Sequence, residues 1–485
     1  MNDIVIPEIT ISLQDLVYAV LLYLACLAVV IVVSKYRERL KTALWRKGSI
    51  YWIITVISVA IFLPAIWETV KIITGTGDGF GNGPLKYVTV VAAIIGPVFI
   101  VWRVYVAYYQ PNTVQEDSIK ERLAKAIAHL ETDEDAPAAN LKDRLAAIYS
   151  LERIAQESLR DHVKIMEVLC VYIQNTSKAD TAVSWPENNN VDVAVWREEL
   201  PPIQIDIQAA IDVIARRNEA QLRNEISEKY TLDLSACNLQ RVNFRHGNFD
   251  FATLEECHLD FAQMDKTELN GVVLNRATLN GAELSGARLN GAKLNGASLN
   301  EAKLDGAELN GVQCNGTELN GAMLRLAKLN GAVLVGAKLH GADLNGAAIN
   351  RAVANGADLS GARLNGALLK QAVLNRVIFN GAELNGVELN GAALNRAMFI
   401  GAELNGAKLE GADFSAAQTA NTAVKSTDLS DAVRLSEEQI NAMIGDESTT
   451  LPAKMKRPDE WPKHDLDYSE FYTHWQSAKK STGIS

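Results

Sequence analysis

Three kinds of hydrophobic pattern follow one another along the chain. The first is continuous. Leu16–Val33 is an uncharged run of 18 residues, Ile50–Trp67 is another, and Tyr87–Trp102 is a third that Val104–Tyr109 extends past Arg103. At about 1.5 Å per residue such a run spans about 27 Å, close to the hydrocarbon thickness of a bilayer. The pattern predicts three transmembrane helices in a membrane domain over residues 1–112. Trp45, Tyr51, Trp52, Trp67, Tyr87 and Trp102 flank the runs as interfacial residues do. The first connection holds Lys35, Arg37, Arg39, Lys41, Arg46 and Lys47 against Glu38 alone, which places it in the cytoplasm, the N-terminus outside and everything after residue 103 inside. The alternating glycines Gly75 to Gly83 sit between two spans rather than between a strand and a helix, so they read as a flexible connection and not a phosphate cradle.

The second pattern is helical. Ile119, Leu123, Ile127 and Leu130 fall on one face, as do Leu141, Leu145, Ile148, Leu151 and Ile154, and then Val163, Met166, Leu169 and Ile173. Trp185-Pro186, Asn188–Asn190 and Pro201-Pro202 read as a loop, and a further helix is predicted over 207–226. Residues 113–230 are therefore expected to form an α-helical domain and linker. His129 and His162 lie here without a metal-ligand motif and read as structural or solvated.

The third pattern has a period of five. Taking Leu234, Leu239, Phe244 and so on to Leu429 as centres i, 40 centres follow without an insertion. Leu fills 29 of them, Ala 27 of the i−2 positions, Asn 20 of the i+1 positions and Gly 22 of the i+2 positions. A helix cannot carry this pattern, because five steps of about 100° move each leucine to a new side of the cylinder. A long strand fails as well, because its inward side would flip at every repeat. A short strand followed by a corner succeeds. Positions i−2 and i point inward, i−1 points out, and the residues at i+1 and i+2 turn the chain. Four sides close a coil of 20 residues. Forty pentads then make about ten coils, a rod about 48 Å long at about 4.8 Å per layer.

These residues resemble the pentapeptide-repeat family, whose right-handed quadrilateral β-helix has this cross-section. The resemblance implies an all-β solenoid over residues 231–434, preceded by the three transmembrane helices and the small helical domain. The inward residues are expected to include the centres Leu284, Leu294, Leu304, Leu344, Leu384, Phe379 and Phe399, with Ala282, Ala292, Ala302, Ala342 and Ala382 at i−2. Phe379 and Phe399 are 20 residues apart and should stack, and the i+1 column Asn280, Asn300, Asn320 should form an amide ladder. One departure stands out. The family often carries Asp or Asn at i−1, as Asn238, Asn243 and Asn248 do, whereas later pentads carry their Asn at i+1. Cys237 and Cys257 are also 20 apart and read as small core residues.

A solenoid leaves strand edges at both ends that need covering. The 207–226 helix is expected over the first coil. Ser436-Glu-Glu-Gln439 fits a capping box opening a helix over the last one, and Tyr468–Lys480 reads as a helix packed on the rod within a C-terminal cap and tail, 435–485. The stretches Glu121–Ile127, Arg144–Ile154 and Leu435–Ile440 resemble segments flanking the repeats in bacterial membrane members of the family. The resemblance implies a bacterial inner-membrane protein with its repeats in the cytoplasm.

Charge narrows the function. The whole chain carries a net charge of −11, of which residues 113–230 contribute −8 and 231–434 only −3. Between Asn270 and Thr427 there are 14 basic and 12 acidic residues. A rod so near neutrality is a poor DNA mimic, and the overall sign is wrong for a nucleic-acid binder. The seven histidines are dispersed, and no catalytic constellation, cofactor motif or metal-spaced cluster is present in the sequence. The expectation is a non-enzymatic, membrane-tethered scaffold for a protein partner, without cofactor or metal. The alternative is a DNA-mimicking module acting on a topoisomerase or another DNA-binding protein.

Overall fold

The computed structural model describes residues 118–130, 140–186 and 193–481. The three expected transmembrane helices lie outside these residues. Among the described residues no helix is long and apolar enough to cross a membrane.

Residues 118–128 are helical. They are followed by α1 (Leu141–Glu157), α2 (Leu159–Thr176), a 3₁₀ turn (Ala179–Thr181), α3 (Val193–Glu199), α4 (Ile205–Ala215) and α5 (Glu219–Glu228). The single helix expected over 207–226 is two, and the expected loop contains the 3₁₀ turn and α3. The break has a local cause. Asn218 accepts the N–H of Gln221 and receives the Gln221 side chain in return, a capping box that starts α5 afresh. The α1 and α2 stripes meet through Ile148, Leu151, Ile154, Ile165, Leu169 and Ile173, each fully buried. Helical segment, rod and C-terminal cap share one continuous apolar core running from Ile119 to Trp461.

From Asp233 onward each i−1 residue pairs in parallel with the residue 20 further on, first Asp233 with Thr253 and last Asp413 with Val433. Each side is thus one residue of ladder, and four sides make a coil. The turns are uniform. The N–H of each i+3 residue meets the carbonyl of the centre, as from Ala282 to Leu279 at 3.1 Å. The residue at i+2 has φ between 53° and 68° at all 39 corners from Ala236 to Ser426. That is the position at which a type II turn requires positive φ. Glycine fills 22 of these corners and other residues 17, among them Phe251, Phe261, Glu301 and Leu326. These four side chains lean over the next corner, and in each case that corner is glycine: Gly271, Gly281, Gly321 and Gly346. A Cβ there would collide with them, so one bulky corner demands a bare neighbour.

The fortieth corner departs from the rule. Asp431 does not take positive φ, Arg434 does, and the Gly411 N–H reaches Asp431 where every earlier rung would have placed residue 430. The regular winding ends there.

Both ends are covered by groups that imitate a neighbouring coil. At the first coil Asn238 donates its N–H to Ser177 (2.7 Å) and Ala179 donates to Ala236 (3.0 Å). On the next side the Gln208 amide both accepts from the Asn243 N–H and donates to its carbonyl, each at 2.9 Å. On the side after that, Arg217 donates to the Asn248 carbonyl. At the far end Ser436 and Gln439 form the capping box of α6 (Glu437–Ala442), and the Gln439 amide donates to Phe414 and Ala417, both at 2.8 Å. Ile444 and Thr450 add two parallel rungs above Ala423 and Asp428. Helix α7 (Tyr468–Ser481) buries Phe471 and Trp475 against Ala423 and Ile444, and Trp475 donates to the Asn421 carbonyl at 2.7 Å.

Candidate interaction surface

Each pentad has five backbone N–H groups to satisfy. Four are met by the coil: i−2 by the turn, i−1 by the coil below, i and i+2 by the coil above. The fifth, at i+1, has no backbone partner and takes a side chain. In mid-rod it donates to the Oδ1 of the Asn or Asp at i+1 one coil below, as Asn295 does to Asn275, Asn320 to Asn300 and Arg325 to Asp305 (3.1, 3.1 and 3.0 Å). The first coil has none below it, and there an Asp or Asn at i−1 serves instead. Asp233, Asn238, Asn243 and Asn248 accept from residues 235, 240, 245 and 250. The same exchange returns where the residue below is not Asn or Asp. Asp343 serves Asn345 above Arg325, and Asp358 serves Ser360 above His340. The migration of Asn along the sequence is therefore the same donor met from two directions.

The remaining Asn amides run up the columns. Asn310 Nδ2 donates to Asn290 Oδ1 at 2.9 Å and Asn330 to Asn310 at 3.0 Å. In the column of Asn280, Asn300 and Asn320, Asn300 binds Asn280 through its backbone N–H at 3.0 Å, and Asn320 binds Asn300 through both its backbone and its amide.

The centres Leu284, Leu294, Leu304, Leu344, Leu384, Phe379 and Phe399 are all at most 1% exposed, and Ala282, Ala292, Ala302, Ala342 and Ala382 are fully buried. The rings of Phe379 and Phe399 stack at 5.1 Å and 17°. Polar residues enter the i−2 column only where a carbonyl receives them. Thr267, Thr317, Thr422 and Thr427 each donate to the carbonyl 23 residues earlier, as Thr317 does to Leu294 at 2.7 Å. Cys237 and Cys257 are free, buried thiols in that column. Cys314 is another, and burial pushes its thiol up to about 12. None of these groups faces solvent.

What faces outward is the i−1 column, the corners and part of i+1. Here opposite charges alternate up the rod. Glu268, Arg288, Glu308 and Lys328 occupy successive rungs, with Arg288 at 3.3 Å from Glu268 and 3.5 Å from Glu308, and Lys328 at 2.9 Å from Glu308. Glu388 lies 2.6 Å from both Lys370 and Lys408, Lys338 is 2.8 Å from Glu318, and Arg325 is 2.5 Å from Asp305. Their hydrogen bonds to these cations hold the carboxyls of Glu308, Glu388, Glu318 and Asp305 below the ordinary carboxylate range. Each pair is solvent-exposed and contributes little alone. Together they cancel the rod's charge rung by rung.

In the helical segment the charged groups are buried. Arg144 Nε lies 2.7 Å from Asp206 Oδ2, which also accepts from Tyr172 at 2.7 Å. His162 Nε2 meets Glu225 Oε1 at 2.7 Å, and Arg217 meets the other oxygen at 2.5 Å. Burial pushes the Glu225 carboxyl up, but His162 and Arg217 more than offset it and hold it below its usual value. His162 is thus a structural histidine that joins α2 to α5. Among the described residues no group of three or more His, Cys, Asp and Glu side chains could hold a metal ion.

Residues 237–276, 273–311, 307–346, 355–391 and 378–415 match the family model described as pentapeptide repeats, in eight copies. The rod is a run of pentapeptide repeats wound as a right-handed β-helix. Among solved structures it is similar to HetL, a pentapeptide repeat protein involved in heterocyst differentiation regulation from the cyanobacterium Nostoc sp. strain PCC 7120. The identity is 28% over 43% of this chain and 97% of that one, with a TM-score of 0.22. It is also similar to a pentapeptide repeat protein of the Arabidopsis thaliana thylakoid lumen, at 30% identity over 20% of this chain and 66% of that one, TM-score 0.19. A third is QnrB1, a plasmid-mediated fluoroquinolone resistance protein, at 20% identity over 40% of this chain and 90% of that one, TM-score 0.22. No curated protein matches the chain.

Proposed function

We propose that this chain is a membrane-tethered, non-enzymatic scaffold that presents its repeat rod to the cytoplasm of a bacterium for a protein partner. One observation carries the reading. The inward columns and the backbone donors are committed to holding the coil, while the i−1 and corner positions change freely from rung to rung. Such a rod is a rigid display of side chains with no reaction centre of its own. Pentapeptide repeats generally serve as non-catalytic interaction modules. The uncharged runs at 16–33, 50–67 and 87–102 supply the tether, and the basic first connection supplies the orientation. The rung-by-rung cancellation of charge favours a protein partner over DNA mimicry, which needs a sustained negative potential.

The test is site-specific photocrosslinking in native membranes, with the probe placed in turn at outward i−1 positions of the rod and with a reporter fused after residue 110. Crosslinks to a protein from one contiguous set of outward positions and a cytoplasmic reporter are the expected results. A periplasmic reporter, or outward positions that all fail to crosslink protein, would overturn the reading.

A further inference from the structure

The charge ladder has one break. Arg376 and Arg396 occupy the same corner on successive rungs, about 4.8 Å apart. Both are exposed, and no ion pair forms at either among the described residues. Elsewhere on the rod the recurrent arrangement is a cation with a carboxylate one coil away. Here two guanidinium groups face each other's charge with nothing between. They border the side formed by residues 331–336, 351–356, 371–376 and 391–396. No Asp or Glu occurs in these four pentads, and the outward i−1 positions are Val333, Val353, Val373 and Ala393. Arg351 stands at the opposite edge, bonded to Gln371 at 3.1 Å. Around the arginine corner, the adjoining side continues apolar through Ile378 and Met398. The nearest acid in the valine column, Asp413, is already paired with Arg434 at 2.9 Å.

We infer that this side is the docking surface for an acidic amphipathic helix of a protein partner. Charge complementarity names the occupant: an apolar floor about 14 Å long with cations on both edges, in a chain whose net charge is −11. A second copy of the same side would bring arginine against arginine, so self-association is disfavoured. The rungs recur at about 4.8 Å and a helix turns every 5.4 Å or so, so residues at i, i+4 and i+7 stay in step over three coils. The rod already takes a helix in this way. On α7, Phe471, Trp475 and Lys479, at i, i+4 and i+8, meet Ala423, Asn421 and Gly401. An acidic helix would place its apolar stripe on the valines and its carboxylates on Arg376 and Arg396.

The inference rests on the scaffold reading and refines it to one surface. The test uses the full chain in nanodiscs of zwitterionic lipid and a labelled synthetic helical peptide. The peptide carries Leu at i, i+4, i+7 and i+11 flanked by Glu, and its control has Gln for every Glu. Binding is read by anisotropy. The expected result is saturable binding of the Glu peptide that weakens about tenfold or more in R376E/R396E and falls with salt, with the Gln peptide bound far less. The double variant should fold, because Glu256 and Glu301 already occupy corners at φ 58°. Equal binding by the variant, or by the Gln peptide, would overturn the inference. So would phosphatidylglycerol vesicles that bind through these arginines while the peptide does not, or a dimer abolished by R376E/R396E without peptide binding. If crosslinks in native membranes persist from another side of the rod while the peptide fails, this surface is wrong and the scaffold reading stands.

Discussion

The rod and the helical segment before it solve the same problem in opposite ways. Both must bury polar groups, and both must do so without leaving one unpaired. The rod meets each demand with a rule repeated every 5 or every 20 residues. Its fifth N–H is met by an Asn one coil below or by an Asp two residues back, and either will serve. The helical segment meets its demands once each, through Arg144–Asp206–Tyr172 and His162–Glu225–Arg217. Repetition makes the rod tolerant of substitution at any one ladder position. Uniqueness makes the helical segment depend on a few residues. The cap groups Gln208 and Arg217, which bind the first coil, come from the segment with no redundancy.

The sharpest break of this comparison is Asp206→Ala. It strands the Arg144 guanidinium in a buried site and removes the acceptor of Tyr172. The expected destabilisation is about 3–5 kcal/mol. Hydrogen exchange should show α1, α2 and α4 opening well before the central coils of the rod. A melting shift no larger than that of the exposed variant Arg153→Ala would show that the buried pair does not hold the segment.

Ala292→Trp tests the opposite region at its least tolerant point. The i−2 column is fully buried between leucine centres, and overpacking costs about 1–3 kcal/mol, at the upper end for so large an addition. Lys293→Ala, one residue along and outward, should change the melting temperature little. Similar shifts for the two would contradict the inward placement of i−2.

Much of this was legible in the sequence, and for a physical reason. Period five has one compact solution, so the i and i−2 columns, the corners and the Phe379–Phe399 stack follow from counting. The capping box at Ser436–Gln439 was legible because its signal is local. What joins the helical segment to the rod was not. Glu225 is 63 residues from His162 and Asp206 is 62 from Arg144, and no periodicity links them. The split of 207–226 into α4 and α5 turns on the capping box at Asn218, which the apolar pattern runs straight through. The unpaired arginines at 376 and 396 were visible in principle. They emerge only when surface residues are read at intervals of 20, as the core was read at intervals of five.

Asn300→Ala sharpens the comparison by asking whether the rod's redundancy is real. It removes the acceptor of both the Asn320 backbone N–H and its amide, and the expected loss is about 1–2 kcal/mol. Adding Glu318→Asp supplies an acceptor two residues before Asn320, the arrangement that Asp343 and Asp358 use. The double variant should recover a substantial part of the lost melting temperature. If Glu318→Asp gives no rescue, the two acceptor positions are not interchangeable and the first coil's Asp and Asn residues need another explanation.

The smallest effect separates the regions by solvent rather than by substitution. Glu308, Glu318, Glu388 and Asp305 on the rod, and Glu225 in the helical segment, all have carboxyls held below their ordinary values. A lowered folded value means stability that is present above the unfolded carboxylate range, about pH 4.5, and lost as pH falls through the lowered value. Both regions should therefore weaken in acid. On the rod the pairs are exposed, and at 1 M salt a screening length of about 3 Å should remove most of their share. The pairs around Glu225 are buried, and salt should leave their acid sensitivity nearly intact. Melting followed from pH 7 to pH 3.5 at low and high salt, with Lys328→Ala and Glu225→Gln beside the native chain, distinguishes them. Lys328→Ala should cost no more than about 1 kcal/mol at low salt and almost nothing at 1 M. Glu225→Gln should flatten the acid slope at both. An acid slope in the native chain that vanishes with salt would place the pH-sensitive charge on the rod surface and leave the buried cluster without a part in it.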